Sequence, residues 1–196
     1  QVLDDWSFMA PQLQDLYHQL NTGRSPHAFA FDATQCMAAL PRAHQWAEAA
    51  AYPCHLALTQ PEWPLSTTEP LMRQGAGDSL MGPCDEAVVG SAAMGIDFGA
   101  GLAAITGDVP MGSSPEQALH GIRLLMLSNT LSLRHLMPSG PPQPWSHLQS
   151  WPGTGFSPVA VTVDELGDAW RGGRIHLPLH SSCNGRKVGM CEAGED

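Results

Sequence analysis

The stretch GIDFGAGLAAITGDVPMG, residues 95–112, constrains the fold more than any other part of the chain. It reads as a buried strand running into a turn. Successive strand side chains point to opposite faces, so Phe98, Ala100 and Leu102 share one face while Asp97, Gly99, Gly101 and Ala103 share the other. The second face is therefore bare at two neighbouring positions. Glycine inside a strand weakens it and marks a bulge or the close approach of another backbone. A bare patch is also what remains where functional side chains once stood.

The flanking text sets the surroundings of that strand. A strand-like run near 86–93 precedes it, and Ser114, Pro115 and Glu116 then supply an N-cap, a proline at the first helical position and an acidic first turn. Ala118, Ile122 and Leu125 at helical spacing predict a helix of about three turns, with IRLLMLSNTLSLRHL apolar enough for the next buried strand. Upstream, Trp6, Met9, Leu13, Leu16, Tyr17 and Leu20 recur at helical spacing in residues 3–20, and Pro11 is expected to divide a first turn from the main helix. Residues 21–52 read as strands and loops. The prolines of 53–86 (Pro53, Pro61, Pro64, Pro70, Pro83) predict a long, loop-rich connection, and PSGPPQPW at 138–145 a second proline-rich loop. From Phe156 onward the pattern is strand, short helical turn near Thr162–Asp164, strand, and a hairpin at Asn184-Gly185.

Composition narrows the function classes. The 196 residues suffice for one domain with a good core, or for a small domain attached to a medium one. Nine Lys plus Arg against nineteen Asp plus Glu give a net charge of -10, and Lys187 is the only lysine, so nucleic acid and anionic membrane surfaces are not expected as partners. No run approaches the roughly 20 apolar residues of a membrane span, and no signal-peptide pattern opens the chain, which predicts a cytoplasmic protein. Cys36, Cys54, Cys84, Cys183 and Cys191 lack C-x-x-C spacing, so reduced and mostly buried thiols are expected.

Several residues could carry chemistry. His176, His180 and Cys183 suggest a zinc site, but on a strand residues four apart lie about 13 Å apart, too far to share one ion. Asp97 and Asp108 could form an acid/base pair, although Asp in a turn more often caps it. Cys54 and His55 could form a thiolate–imidazole pair, yet no third orienting group is evident. Arg123 and Arg134 are candidate anion binders or members of structural ion pairs. Methionine has no recurrent spacing and reads as core filler.

Four blocks in order carry a resemblance: FDATQCMAALPRAHQW, ITGDVPMGSSPEQALHGIRLLMLSNTLSLRHLMP, GFSPVAVTVDELGDAW and LPLHSSCNGRKVGM. Together they resemble bacterial members of the fumarylacetoacetate hydrolase family, patchily over 3–85 and densely over 95–194. The resemblance implies an α+β, mostly β fold: a small N-terminal domain over 1–65 and, over 66–196, part of a fumarylacetoacetate-hydrolase-like β-roll, whose later half is absent. It also implies hydrolysis of a C–C bond, or decarboxylation, in 1,3-dicarbonyl acids with Mg²⁺ or another divalent cation. Such a reaction needs a cation to hold both carbonyl oxygens as the leaving carbon departs as an enolate, and a base to activate water.

The family pattern supplies that cation with an acidic-x-acidic pair on a strand and an Asp following Asn, and it places a Lys near the substrate. Here the acidic pair aligns with Gly99 and Gly101, the Asp with Thr130, and the Lys with Trp151. His55 is the remaining candidate for the base region, and Arg134 stands where the family also has Arg. With carboxylates missing at these positions, no metal cofactor is expected. Three functions follow as expectations: a degenerate family member with impaired hydrolysis; a metal-independent enzyme or small-molecule binder using Gly99, Gly101, Trp151 and Arg134 to take a small carboxylic or dicarbonyl acid; or a non-catalytic partner of a full-length paralogue. A homo-oligomer or a paralogue pair is expected to cover unpaired strand edges.

Overall fold

A computed structural model describes residues 2–41, 43–59, 71–137 and 149–195. Helix α1 (Trp6–Asn21) forms where the apolar spacing predicts it, and corrects one expectation: Pro11 lies inside a single continuous helix. Proline there removes one N–H donor, and the bonds on either side carry the helix through. No residue of α1 is buried, and Phe8, Leu13, Leu16, Tyr17 and Leu20 remain exposed.

Strand β1 (Ala47–Ala50) and helix α2 (Pro53–Thr59) follow, then β2 (Leu71–Gln74) and β3 (Leu80–Met81). The expected loop over 53–86 is thus interrupted by three elements. Pro53 stands at the first position of α2, where its missing N–H costs nothing, so this proline starts structure where it was expected to prevent it. Pro61, Pro64 and Pro70, like the proline-rich loop at 138–145, lie outside the described residues. β1 pairs antiparallel with β2, joining the two sides of the expected division at 65/66.

Strand β4 (Ile96–Thr106) matches its expectation, whereas the run at 86–93 forms no strand. Val88 there is 91% exposed, and two adjacent valines have no sheet to pack on. Helix α3 (Pro115–His120) carries the predicted Ser114 cap and Pro115, completed by the Gln117 side chain, which accepts from the Ser114 backbone N–H. It is shorter than the three turns expected, because Gly121 ends it and Ile122 and Leu125 belong to strand β5 (Ile122–Leu133).

The next strand, β6 (Gly153–Phe156), ends where a strand was expected to begin, and Val161 makes only an isolated bridge to Leu125. After a turn of helix over Val163–Ala169 come β7 (Trp170–Arg171), β8 (Arg174–Ile175), β9 (Pro178–Cys183) and β10 (Arg186–Glu192). The β9–β10 hairpin turns at Asn184-Gly185 as predicted, both residues having positive φ, the backbone a tight primed turn requires.

The fold is mixed α+β and mostly strand, with no closed barrel among the described residues. Its largest sheet has the order β3-β6-β5-β4. One face packs the core of Ala103, Met126 and Phe156, flanked by Trp46, Leu80 and Ile105. Trp46 meets Phe156 edge to face, with ring centroids 5.2 Å apart, an arrangement that adds to plain area burial. The core is small for the chain. This also explains the cysteines: all five are free, but four are exposed and Cys36 is half-buried, so the expected buried thiols are not found. Phe156→Ala should cost about 3 kcal/mol of stability, read as a lowered midpoint in urea unfolding. A loss below about 0.5 kcal/mol, the scale of an ordinary surface change, would show that Phe156 does not anchor this core.

Candidate functional site

The β4–β5 register sets which side chains can meet. Asp97 lies opposite Ser132, Gly99 opposite Thr130, Gly101 opposite Ser128 and Ala103 opposite Met126. β6 continues the same rows, with Thr154 beside Thr130 and Phe156 beside Ser128. The face therefore changes from apolar core at Ala103, Met126 and Phe156 to a strip of hydroxyls at Ser128, Thr130 and Thr154. Gly99, Gly101 and Thr130, the positions that the resemblance matches to cation-binding carboxylates, are brought onto this one strip.

Two hydroxyls of the strip pair with each other. Thr130 Oγ1 and Thr154 Oγ1 are 3.2 Å apart and share a hydrogen bond. A Cβ at Gly101 would lie 2.8 Å from Ser128 Oγ, so a hydroxyl already occupies the space where that side chain would start. At Gly99 the nearest atom to such a Cβ is the Thr130 carbonyl oxygen, at an ordinary 3.8 Å.

A divalent cation does not fit this donor set. Hard cations require several oxygen ligands, carboxylates chief among them, and here two positions have no side chain while the third offers a hydroxyl bound to its neighbour. Asp97 is the nearest carboxylate on the strand, but Arg134 Nε donates to its Oδ2 at 2.7 Å and the Phe98 N–H to its Oδ1 at 2.9 Å. Among the described residues no group of three His, Cys, Asp or Glu converges.

The remaining candidates are spread over other elements. His55 is exposed on α2 beside exposed Cys54, and neighbours in a helix do not face one another. Asp108 lies past the far end of β4, roughly 30 Å along the strand from Asp97, which separates that acid/base pair. His180 and Cys183 are exposed on β9 with His176 just before it, as the strand argument against zinc requires. Arg123 Nη1 donates to the His120 carbonyl. Arg134 follows the end of β5, where its N–H donates to the Gly95 carbonyl and the adjacent His135 Nδ1 bonds Ala93 O at 2.8 Å. It ties the start of β4 to the end of β5 at one end of their ladder.

Trp151 is half-buried and serves as a platform. The Arg73 guanidinium lies 3.8 Å above its ring centroid and pairs with Glu48, which stands directly opposite Arg73 in the β1–β2 ladder. Burial lowers the Arg73 pKa, and Glu48 opposes that shift. Sequence reasoning missed this cluster, although each short strand carries one charge, Glu48 in AEAA and Arg73 in LMRQ. Their register was the missing information.

The hydrogen bond from Arg134 holds the Asp97 carboxyl below its ordinary range, helped by the Phe98 N–H and opposed by burial. A depressed folded-state pKa means the pair stabilises the fold above the unfolded value of about 3.9 and loses that contribution as pH falls through the folded value. The side chains are 44% and 43% exposed, so the contribution is under about 1 kcal/mol. Asp97→Asn should lower urea stability by up to that amount at neutral pH, and the gap to the native chain should close in acid. A gap that persists unchanged in acid would show that the pair is not its source.

Comparison with known families agrees with the geometry of the strands. The family described as fumarylacetoacetase N-terminal domain 2 matches residues 1–42, and that described as fumarylacetoacetate (FAA) hydrolase C-terminal matches residues 44–193. No curated protein matches the chain. The second match alone spans most of the sequence, and the chain belongs to the fumarylacetoacetate hydrolase family.

Proposed function

We propose that this chain is a family member that does not carry out metal-dependent C–C hydrolysis, a pseudoenzyme on the family scaffold. One observation carries the reading: Gly99, Gly101 and Thr130 share one face of the β4–β5 ladder, and they offer no carboxylate there, only a Thr130 hydroxyl already paired with Thr154. Without a cation to accept charge from the two carbonyls, the enolate leaving group has no stabilising partner. Substituting a single ligand shell member or its support already weakens metal sites by about 10- to 100-fold; three neutral positions remove the site.

Two of the cations, Arg134 and Arg73, support the same reading over binding of a small carboxylic or dicarbonyl acid. Arg134 is engaged with Asp97, and Arg73 with Glu48. An acid would have to displace an intramolecular carboxylate from either one. The cavity beside β4 is lined by Asp97, Phe98, Ala100, Ser181, Val188 and Gly189, and neither Gly99 nor Gly101 lines it.

The test is turnover of acylpyruvates with Mg²⁺ or Mn²⁺ present. The reading expects no product above the uncatalysed rate, with or without EDTA. Turnover that EDTA abolishes would overturn it.

A further inference from the structure

We infer that Arg123, with the bare flank of Gly107 beside it, forms a binding site for a small oxyanion, a phosphate or a carboxylate, at the end of the β4–β5 ladder far from Asp97. The inference is independent of whether any catalysis remains.

The ladder itself sets Arg123 apart. Ile105 lies opposite Leu124 and Thr106 opposite Ile122, so β5 carries one extra residue between them, and that residue is Arg123. A bulge of this kind leaves its extra residue unpaired and re-aims the side chain, which is why bulges recur beside functional sites. The backbone around it is held in place: Gly107 N donates to Gly121 O at 2.9 Å, and Gly121 N to Ala118 O at 2.9 Å.

The guanidinium is half-buried and only partly used. Nη1 donates to the His120 carbonyl over a long 3.4 Å. Nε is shielded from solvent and has no hydrogen-bond partner among the described residues. A donor buried in that way keeps the full penalty of leaving water, and a charged one more than a neutral one. Arg73 and Arg134 each hold a carboxylate, whereas no carboxylate of the described residues pairs with Arg123. Asp108, next in the chain after Gly107, is exposed and forms no ion pair with it.

Gly107 leaves the approach clear. A Cβ on it would lie 3.1 Å from Arg123 Nε, 3.3 Å from Nη2 and 3.6 Å from Cζ. The guanidinium thus turns its Nε–Nη2 edge toward the flank of Gly107 that has no side chain. That edge presents two parallel N–H groups, the fork that grips two oxygens of a carboxylate or phosphate. Water would meet the hydrogen-bonding need of Nε but not the charge of the group, and an oxyanion meets both. Backbone conformation does not demand glycine here, since Gly107 is not among the residues of positive φ. The chain as a whole carries -10, so no long-range attraction assists the anion, and binding in the millimolar range is expected.

Titration of the isotopically labelled full chain with inorganic phosphate, and separately with acetate, at constant ionic strength tests this. The readouts are the arginine Nε–Hε signals and the backbone amide of Gly107. The expected result is a saturable shift of the Arg123 Nε–Hε and Gly107 signals with at least one of the two anions, while Arg134, whose Nε is already donated to Asp97, does not move. The anion that saturates at the lower concentration identifies the class of ligand. Gly107→Ala, which keeps the charge and fills the flank, should weaken binding by about tenfold or more. Arg123→Lys, which keeps the charge and loses the fork, should act in the same direction, and it decides the matter if far-UV circular dichroism shows Gly107→Ala to be unfolded. No saturable shift with either anion, an equal shift of every exposed arginine, or an affinity that a folded variant leaves unchanged would overturn the inference.

Discussion

The antiparallel ladder between β4 and β5 runs from Ile96 opposite Leu133 to Thr106 opposite Ile122, and the rest of the main sheet is attached through it. β6 pairs only along Ser128–Leu131, and β3 reaches the sheet through two residues of β6. Two long strands in fixed register determine which rows of side chains face the core. A slip of β4 by one residue along β5 would turn Ala103 out of the core and bring Ala104 in. The ties at its open end, Asp97 to Arg134 and His135 to Ala93, hold that register against slippage.

That register also explains why the chemistry at the sheet is coherent and still unsuited to a cation. The positions that the resemblance matches to ligands share one strip, but the side chains there are absent or hydroxylic. Ser128 fills the space beside Gly101, and Thr130 bonds Thr154. Small residues let the three strands close at this strip, and the Thr130–Thr154 pair spares two hydroxyls the cost of burial without a partner. Two guanidinium groups follow a related rule, Arg73 being neutralised by Glu48 and Arg134 by Asp97.

Much of this was legible in the sequence where local chemistry dominates. The face alternation around Gly99 and Gly101, the Ser114 cap and the Asn184-Gly185 turn each depend on a few adjacent residues, and each is found. What failed depended on distant partners. Ile122 and Leu125 fit a helical face in isolation, but pairing with β4 makes them strand. The valines near 88 have strand propensity and no strand beside them, and Cys54, Cys84, Cys183 and Cys191 stay exposed because the core does not extend to them. At the site, the resemblance named Gly99, Gly101, Thr130, Trp151 and Arg134; that Trp151 holds Arg73, and Arg134 holds Asp97, required register between strands far apart in the chain.

The central claim is that the hydroxyl strip between β4, β5 and β6 does not hold a divalent cation. Mn²⁺ added to an isotopically labelled chain reports this directly, since a bound paramagnetic ion broadens the amide signals nearest to it. The account predicts that Gly99, Gly101 and Thr130 broaden no more than exposed residues elsewhere, at any Mn²⁺ concentration up to millimolar. Selective, saturable broadening of those three signals, reversed by excess Mg²⁺, would contradict it.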